Sequence, residues 1–301
     1  MIERYFQFLG EDQSIQLLKA NEKPLTPSIR VNTLKITKYS LKEKLENKGF
    51  NLEPIDWISE GLKIKNSPFN LGSTHEYLQG FYYIQSVAPM LPSIILEPNP
   101  NDVVIDMCAA PGGKATHLAQ IMNNEGKLIL IERNRNRIPA LEINLRRMGV
   151  SNSIVINEDS VNLSKLNIKA NKILLDAPCT GEGLIRQDAS RKKSKTMKDI
   201  NKLNIIQKKL LATGLDSLNP GGQLLYSTCS IAPEENELVI NDVLRENSEF
   251  SIVRLPKMYG IKGLVEVFNK KLRDDLINSQ RFYPHIHDTI GFFVCLIQKN
   301  K

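Results

Sequence analysis

Between Pro100 and Thr228 short apolar runs alternate with longer amphipathic stretches, and this alternation limits the possible folds more than any other feature. Val103-Val-Ile-Asp106 and residues 127–132, 153–157, 172–176 and 223–228 have strand length and are apolar on both faces. Strands of that kind are covered on both sides, as when crossover helices flank a parallel sheet. Helical spacing fills the intervals at 112–122, 136–148 and 199–218. Another helix is expected over 233–245, with Glu234 and Glu235 in its first turn, where the helix dipole favours acids. Residues 250–255 and 292–297 bring the count to about seven strands. The pattern predicts an α/β protein with a doubly wound, mostly parallel sheet.

Pro98-Asn-Pro100 interrupts the chain just before this series and sets an expected boundary. It separates a small α+β domain over 1–97 from a catalytic domain over 98–301. Residues 1–19 have helical spacing, and 28–34 read as a strand with Ile29, Val31 and Thr33 on one face. Arg30 and Asn32 fall on the other face, either touching substrate or simply exposed. A helix over 39–48 ends at Gly49, strand-like segments follow at 51–58 and 61–64, and a helix is expected over 87–96 with Ser86 as its N-cap.

Apolar content of 41% in 301 residues is ordinary for a globular protein, and no apolar run is long enough to span a bilayer. The four cysteines lie far apart with no CxxC pair, so neither a metal site nor a disulfide framework is expected. A reducing, cytoplasmic setting fits that usage. The net charge of +7 favours a polyanionic partner. The basic stretch over 191–195 is either a solvated face or a phosphate contact. His285 and His287 are too isolated to suggest a metal, and Cys295 lies in an apolar strand typical of a core.

Asp106-Met-Cys108-Ala109-Ala110-Pro111-Gly112-Gly113-Lys114 joins the first strand of the series to its helix. Small residues there let a ligand approach the backbone, and the helix N-terminus favours an anionic group. A dinucleotide fingerprint and a P-loop both fail: G-x-G-x-x-G is absent, Cys108 stands where the P-loop needs glycine, and Ala115 follows the lysine. Glu132 at the end of the second strand can take ribose hydroxyls, and Asp159 after the third can accept from an adenine amine. The set favours an adenosine-containing cofactor such as S-adenosylmethionine.

Asp176-Ala-Pro-Cys179 ends the fourth strand, and Ser227-Thr-Cys229-Ser230 ends the fifth. In the usual strand order these two are neighbours, which brings Cys179 and Cys229 to one rim. Two thiols, an acid and a methyl donor suit the methylation of a pyrimidine at C5. A thiolate adding at C6 makes C5 nucleophilic, and a base must later remove the C5 proton. The residues alone leave open which cysteine attacks.

Five segments carry a resemblance to the Nop/Sun (NSUN) family of RNA cytosine-C5 methyltransferases, and within it to the compact archaeal tRNA enzymes. They are Arg30-Val-Asn-Thr-Leu34, Cys108 to Lys114, Asp176-Ala-Pro-Cys179-Thr-Gly, Ser227 to Ser230 followed by Pro233-Glu-Glu-Asn236, and Gly291-Phe-Phe293. The resemblance implies a Rossmann-like S-adenosylmethionine-dependent methyltransferase. Cys229 would be the nucleophile on C6, Cys179 would assist release of the methylated base, and Asp176 would hold the cytosine edge near the cofactor. Cys108 to Lys114 would line the methionine end, with Lys114 counted also among the catalytic residues. Glu132 would meet the ribose, Asp159 the adenine, and Arg137 falls on a cofactor-pocket position. The implied partner is RNA, tRNA first and rRNA as the alternative, with no membrane association and a plausible monomer. A different class, an RNA-binding assembly factor with incidental methylation, is the competing reading.

Overall fold

The computed structural model describes residues 2–255 and 257–301; Met1, the start of the first expected helix, lies outside them. The chain divides into two compact units, Thr26–Ser160 and the paired segments Met1–Leu25 and Val161–Lys301. This partition by contact is a different one from the motif-based boundary at 97/98.

In residues 26–160, four antiparallel strands run in the order Asn51–Ile55, Ile58–Asn66, Ser28–Val31, Tyr82–Ile84. Helix Lys38–Glu46 adds Leu41 and Leu45 to a core with Ile29, Val31, Leu52, Leu62 and Tyr82. Thr37 caps that helix, its hydroxyl accepting from Ser40 N. Residues 51–66 form a hairpin turning at Asp56-Trp57, so the expected strands move to 51–55 and 58–66. Arg30 and Asn32 are neither exposed nor available to substrate, with 0% and 1% of their surfaces accessible. Arg30 donates to Gly113 O at 2.6 Å and Thr116 Oγ1 at 2.8 Å. Asn32 donates to Gly80 O and Met148 O. Both satisfy buried carbonyls, which burial would otherwise make costly.

The same unit holds three parallel strands, Val103–Asp106, Lys127–Ile131 and Ser153–Ile156, with helices Gly113–Ile121 and Ile138–Met148 between them. The helix expected over 87–96 is shorter. A 3₁₀ turn, Ala88–Met90, precedes Leu91–Leu96, and Ser86 is not its cap.

In the second unit the order is Ile261–Lys262, Gln280–Phe282, Phe292–Lys299, Leu218–Thr228, Ala170–Asp176, with Phe250–Ile252 paired to Phe292–Lys299. Among the described residues of this unit, only Ala170–Asp176 and Leu218–Thr228 pair in parallel; the other pairings are antiparallel. All seven expected strands are present, with Ile261–Lys262 and Gln280–Phe282 in addition. Those two are too short to announce themselves by periodicity. The architecture is Rossmann-like, with a small N-terminal domain. The helix expected over 1–19 is two, Ile2–Leu9 and Glu11–Asn21, because Gly10 takes a left-handed φ of 77°. Tyr5 and Leu17 from these helices pack with Ile231 and Tyr283. No helix among the described residues is long and apolar enough to cross a membrane.

Arg281 is 1% exposed and is the main polar brace of this unit. It donates to both Glu237 carboxylate oxygens, to Tyr283 Oη and to Ile231 O. One guanidinium thus ties helix Glu237–Leu244 to the segment just beyond Cys229. Removing one partner of a buried pair strands the other charge, so Arg281→Met is expected to destabilise the protein by about 3–5 kcal/mol. Urea unfolding measures this, and the double variant with Glu237→Met should recover most of the loss.

Candidate active site

The thiols are placed by strand register. Ala170–Asp176 and Leu218–Thr228 lie parallel with Asp176 opposite Ser227, so both strands end at the same level. Ala177 N donates to Ser227 O at 2.8 Å and continues the pairing into the Pro178-Cys179 turn. The Cys179 and Cys229 sulfurs are 3.1 Å apart. Ser227 Oγ donates to Asp176 Oδ1 at 2.8 Å, orienting that carboxylate beside them. The hydrogen bond to the Cys229 sulfur, and then burial, hold the Cys179 thiol well above its usual range; the charges of Glu235 and Asp176 add to this.

Three residues, Gln207, Glu235 and Asn236, brace the two cysteine loops. Pro233–Glu235 is a 3₁₀ turn and the helix begins at Glu237, so Glu234 and Glu235 do not sit in its first turn. Glu235 is instead fully buried and accepts from Thr180 N at 2.8 Å and Thr180 Oγ1 at 2.5 Å. Gln207 donates to both Glu235 and Pro178 O. Asn236 accepts from Thr228 Oγ1 and donates to Ser230 O, bracketing Cys229. The Pro233-Glu-Glu-Asn236 motif was visible in the chain, but its targets were not: Thr180 lies 55 residues before Glu235, and Thr228 and Ser230 are reached only through the turn. On the outer side Arg4 pairs with Glu182 at 3.1 Å and Glu234 at 2.8 Å.

Gly183 and Gly291 make a close backbone approach beside Cys229. Gly183 N donates to Cys229 O at 2.9 Å, and Gly291 N donates to Gly183 O at 2.8 Å. A Cβ on Gly183 would lie 2.1 Å from Gly291 O and 2.8 Å from Cys229 O. Only glycine fits there.

The expected cofactor residues form a second group, within residues 26–160. Gly112 caps helix Gly113–Ile121 with φ 106°, the left-handed region that glycine tolerates. Gly113 leaves room for Tyr83, whose ring would be 3.3 Å from an added Cβ. The Gly-Gly pair thus serves backbone shape and packing as well as ligand approach. Cys108 N donates to Asp106 Oδ1, Ala109 and Ala110 are buried, and Pro111 is exposed. Lys114 is half-buried in the first helical turn, its carbonyl accepting from Ser93 Oγ. Glu132 is 4% exposed, accepts from Asn134 N at 2.8 Å and lies 3.3 Å from Arg137, which also donates to Ala110 O. Asp159 is partly exposed, 3.9 Å from Arg133. A buried acid at one strand end, a second acid after the next, and a helix N-terminus on a glycine turn match a diol, an amine and a carboxylate. This donor set fits S-adenosylmethionine.

The pattern of the 16S rRNA methyltransferase RsmB/F family matches residues 93–298, and that of the N-terminal domain of the 16S rRNA methyltransferase RsmF matches residues 1–87. The chain belongs to the RsmB/F methyltransferase family. The RsmB/F chain is 36% identical, over 99% of its length and 95% of the relative's, to a tRNA (cytosine(49)-C(5))-methyltransferase of Pyrococcus abyssi. It is 37% identical to the 25S rRNA (cytosine-C(5))-methyltransferase nop2 of Schizosaccharomyces pombe, matching 99% of this chain but half of that protein. The chain likewise spans less than half of the related rRNA enzymes of Caenorhabditis elegans, mouse and human. A solved methyltransferase homolog from Pyrococcus horikoshii superimposes with a TM-score of 0.90 at 42% identity, covering 99% of this chain and 93% of that one. NSun6 from the same organism, solved with SFG, gives 0.90 at 27% identity, covering 100% of this chain and 97% of that one.

Gly183→Ala is expected to displace the Cys179 loop from Cys229, because the added Cβ meets backbone on both sides. Since a misplacement of about 1 Å can cost about a hundredfold in rate, turnover should fall by that order, and the thermal midpoint should fall with it. Steady-state methyl transfer alongside a thermal melt measures both.

Proposed function

We propose that the protein is an S-adenosylmethionine-dependent RNA (cytosine-5)-methyltransferase acting on tRNA in the cytoplasm. The observation that carries this reading is the 3.1 Å contact between two thiols at the ends of adjacent parallel strands, with Asp176 beside them. A single thiol would serve for addition to a base. Two in contact provide for both making and breaking the bond.

Cys229 adds to C6 of a cytosine extruded from any stack, and its sulfur becomes a neutral thioether. Asp176, oriented by Ser227, holds the N3 and amino edge of the base, which stabilises the electron-rich ring. S-adenosylmethionine supplies the electrophilic methyl group when bound. Gly112, Gly113, Cys108 and the other residues through Lys114 would hold its methionine end, Glu132 its ribose and Asp159 its adenine, with Arg137 bracing Glu132. Cys179, its own proton released to solvent, then takes the C5 proton, directly or through water; the electron pair of that C–H bond forms the C5–C6 double bond and Cys229 leaves C6 as a thiolate.

The relative named for tRNA is matched over nearly its whole length, which supports tRNA over rRNA; the rRNA relatives keep rRNA as the second reading. The division into 1–97, contacting RNA, and 98–301, catalytic, is likewise proposed, supported by two family patterns that meet between residues 87 and 93.

Cys229→Ala should abolish methyl transfer from labelled S-adenosylmethionine to RNA while calorimetry still detects cofactor binding; near-normal turnover would remove Cys229 from the nucleophile's place. Cys179→Ala should accumulate a denaturation-resistant protein–RNA adduct on a gel, and intact turnover with no adduct would refute its release role. Bisulfite sequencing of treated tRNA and rRNA identifies the modified cytosine.

A further inference from the structure

Helix Met197–Asp216 braces the Cys179 loop through Gln207, and one turn earlier it lines a groove of about 700 Å³. Asn201, Asn204 and Lys208 come from this helix, Arg245 follows helix Glu237–Leu244, and Lys270 and Lys271 come from a short hairpin. Asn204 donates to Glu234 O, next to the Glu235 that holds Thr180, so the groove and the cysteine loop share one support.

The charge left after internal pairing is positive. Lys208 is matched by Asp242 at 2.6 Å, Arg273 by Asp275 at 2.7 Å and Glu234 by Arg4 at 2.8 Å. Lys271 meets Asp274 only at 3.7 Å, with both side chains more than four-fifths exposed, a pair that solvent screens heavily. Arg245 and Lys270 are exposed and have no acidic partner among the described residues. The lining is otherwise mostly polar, with Leu238 and Leu272 its apolar members and no aromatic ring among the described residues. A protein partner would ask for an apolar centre. Spaced cations along a polar trough suit a phosphodiester chain held through its backbone charges, without the aromatic platforms that other single-strand grooves add.

We propose that this groove holds a single-stranded segment of the RNA substrate, with Arg245, Lys270 and Lys271 on its phosphates. The proposal rests on the RNA-methylation reading and adds where the substrate runs. Its test uses the full chain, an unmodified tRNA transcript and the triple variant Arg245→Gln, Lys270→Gln, Lys271→Gln. Three lost phosphate contacts, at about 0.7 each for single strands, should flatten the slope of log affinity against log salt by about 2 and weaken binding about tenfold at moderate salt. KM for tRNA should rise in step with kcat kept, because none of the three touches the cysteine loops. An unchanged slope and KM would overturn the assignment. So would a flattened slope in Lys193→Gln/Lys195→Gln with the triple variant unaffected, which would move the RNA to the basic stretch. So would retained tRNA affinity with lost binding of polyglutamate, which would give the groove to an acidic protein. A wild-type chain that binds tRNA with the predicted difference from the triple variant, yet methylates no RNA, sinks the methylation reading and supports the groove.

Discussion

The parallel pairing of Ala170–Asp176 with Leu218–Thr228 is the constraint on which the catalytic half depends. Parallel strands point their C-terminal ends the same way, so two residues 50 apart in sequence leave the sheet side by side. The register puts Asp176 opposite Ser227, and three residues later on one strand and two on the other the thiols meet. Slipping that register by one residue would turn the side chains to the opposite face and part the sulfurs.

Strand ends alone do not hold loops, and the chain supplies a buried carboxylate for the purpose. Glu235 takes a backbone N–H and a hydroxyl from Thr180, while Asn236 holds Thr228 and Ser230. One tetrapeptide thereby fixes the residues beside both cysteines. The Gly183–Gly291 contact closes the remaining side, where any Cβ would collide with backbone. Preorganisation of this sort holds the two sulfurs in one fixed relation.

The electrostatics around Cys179 are a product of the same turn. The hydrogen bond to the Cys229 sulfur, then burial, hold its thiol well above the usual range, and the charges of Glu235 and Asp176 add to this.

Much of this protein is determined by the sequence itself. Apolar runs of strand length alternating with helical periodicity required an α/β sheet, because such strands must be covered on both faces. The glycine-rich turn, Glu132 and Asp159 pointed to an adenosine cofactor, and the Asp176–Cys179 and Ser227–Ser230 motifs marked the chemistry. Arg30, Asn32 and Glu235 were misjudged for one physical reason. A polar side chain on a strand or near a helix start looks exposed in sequence, whereas its real partners are carbonyls and amides brought near only by folding. Short edge strands such as Ile261–Lys262 have no periodicity to read. Tertiary structure alone decided the 3.1 Å between the sulfurs and the upward push on the Cys179 thiol, because both depend on through-space register, burial and charge.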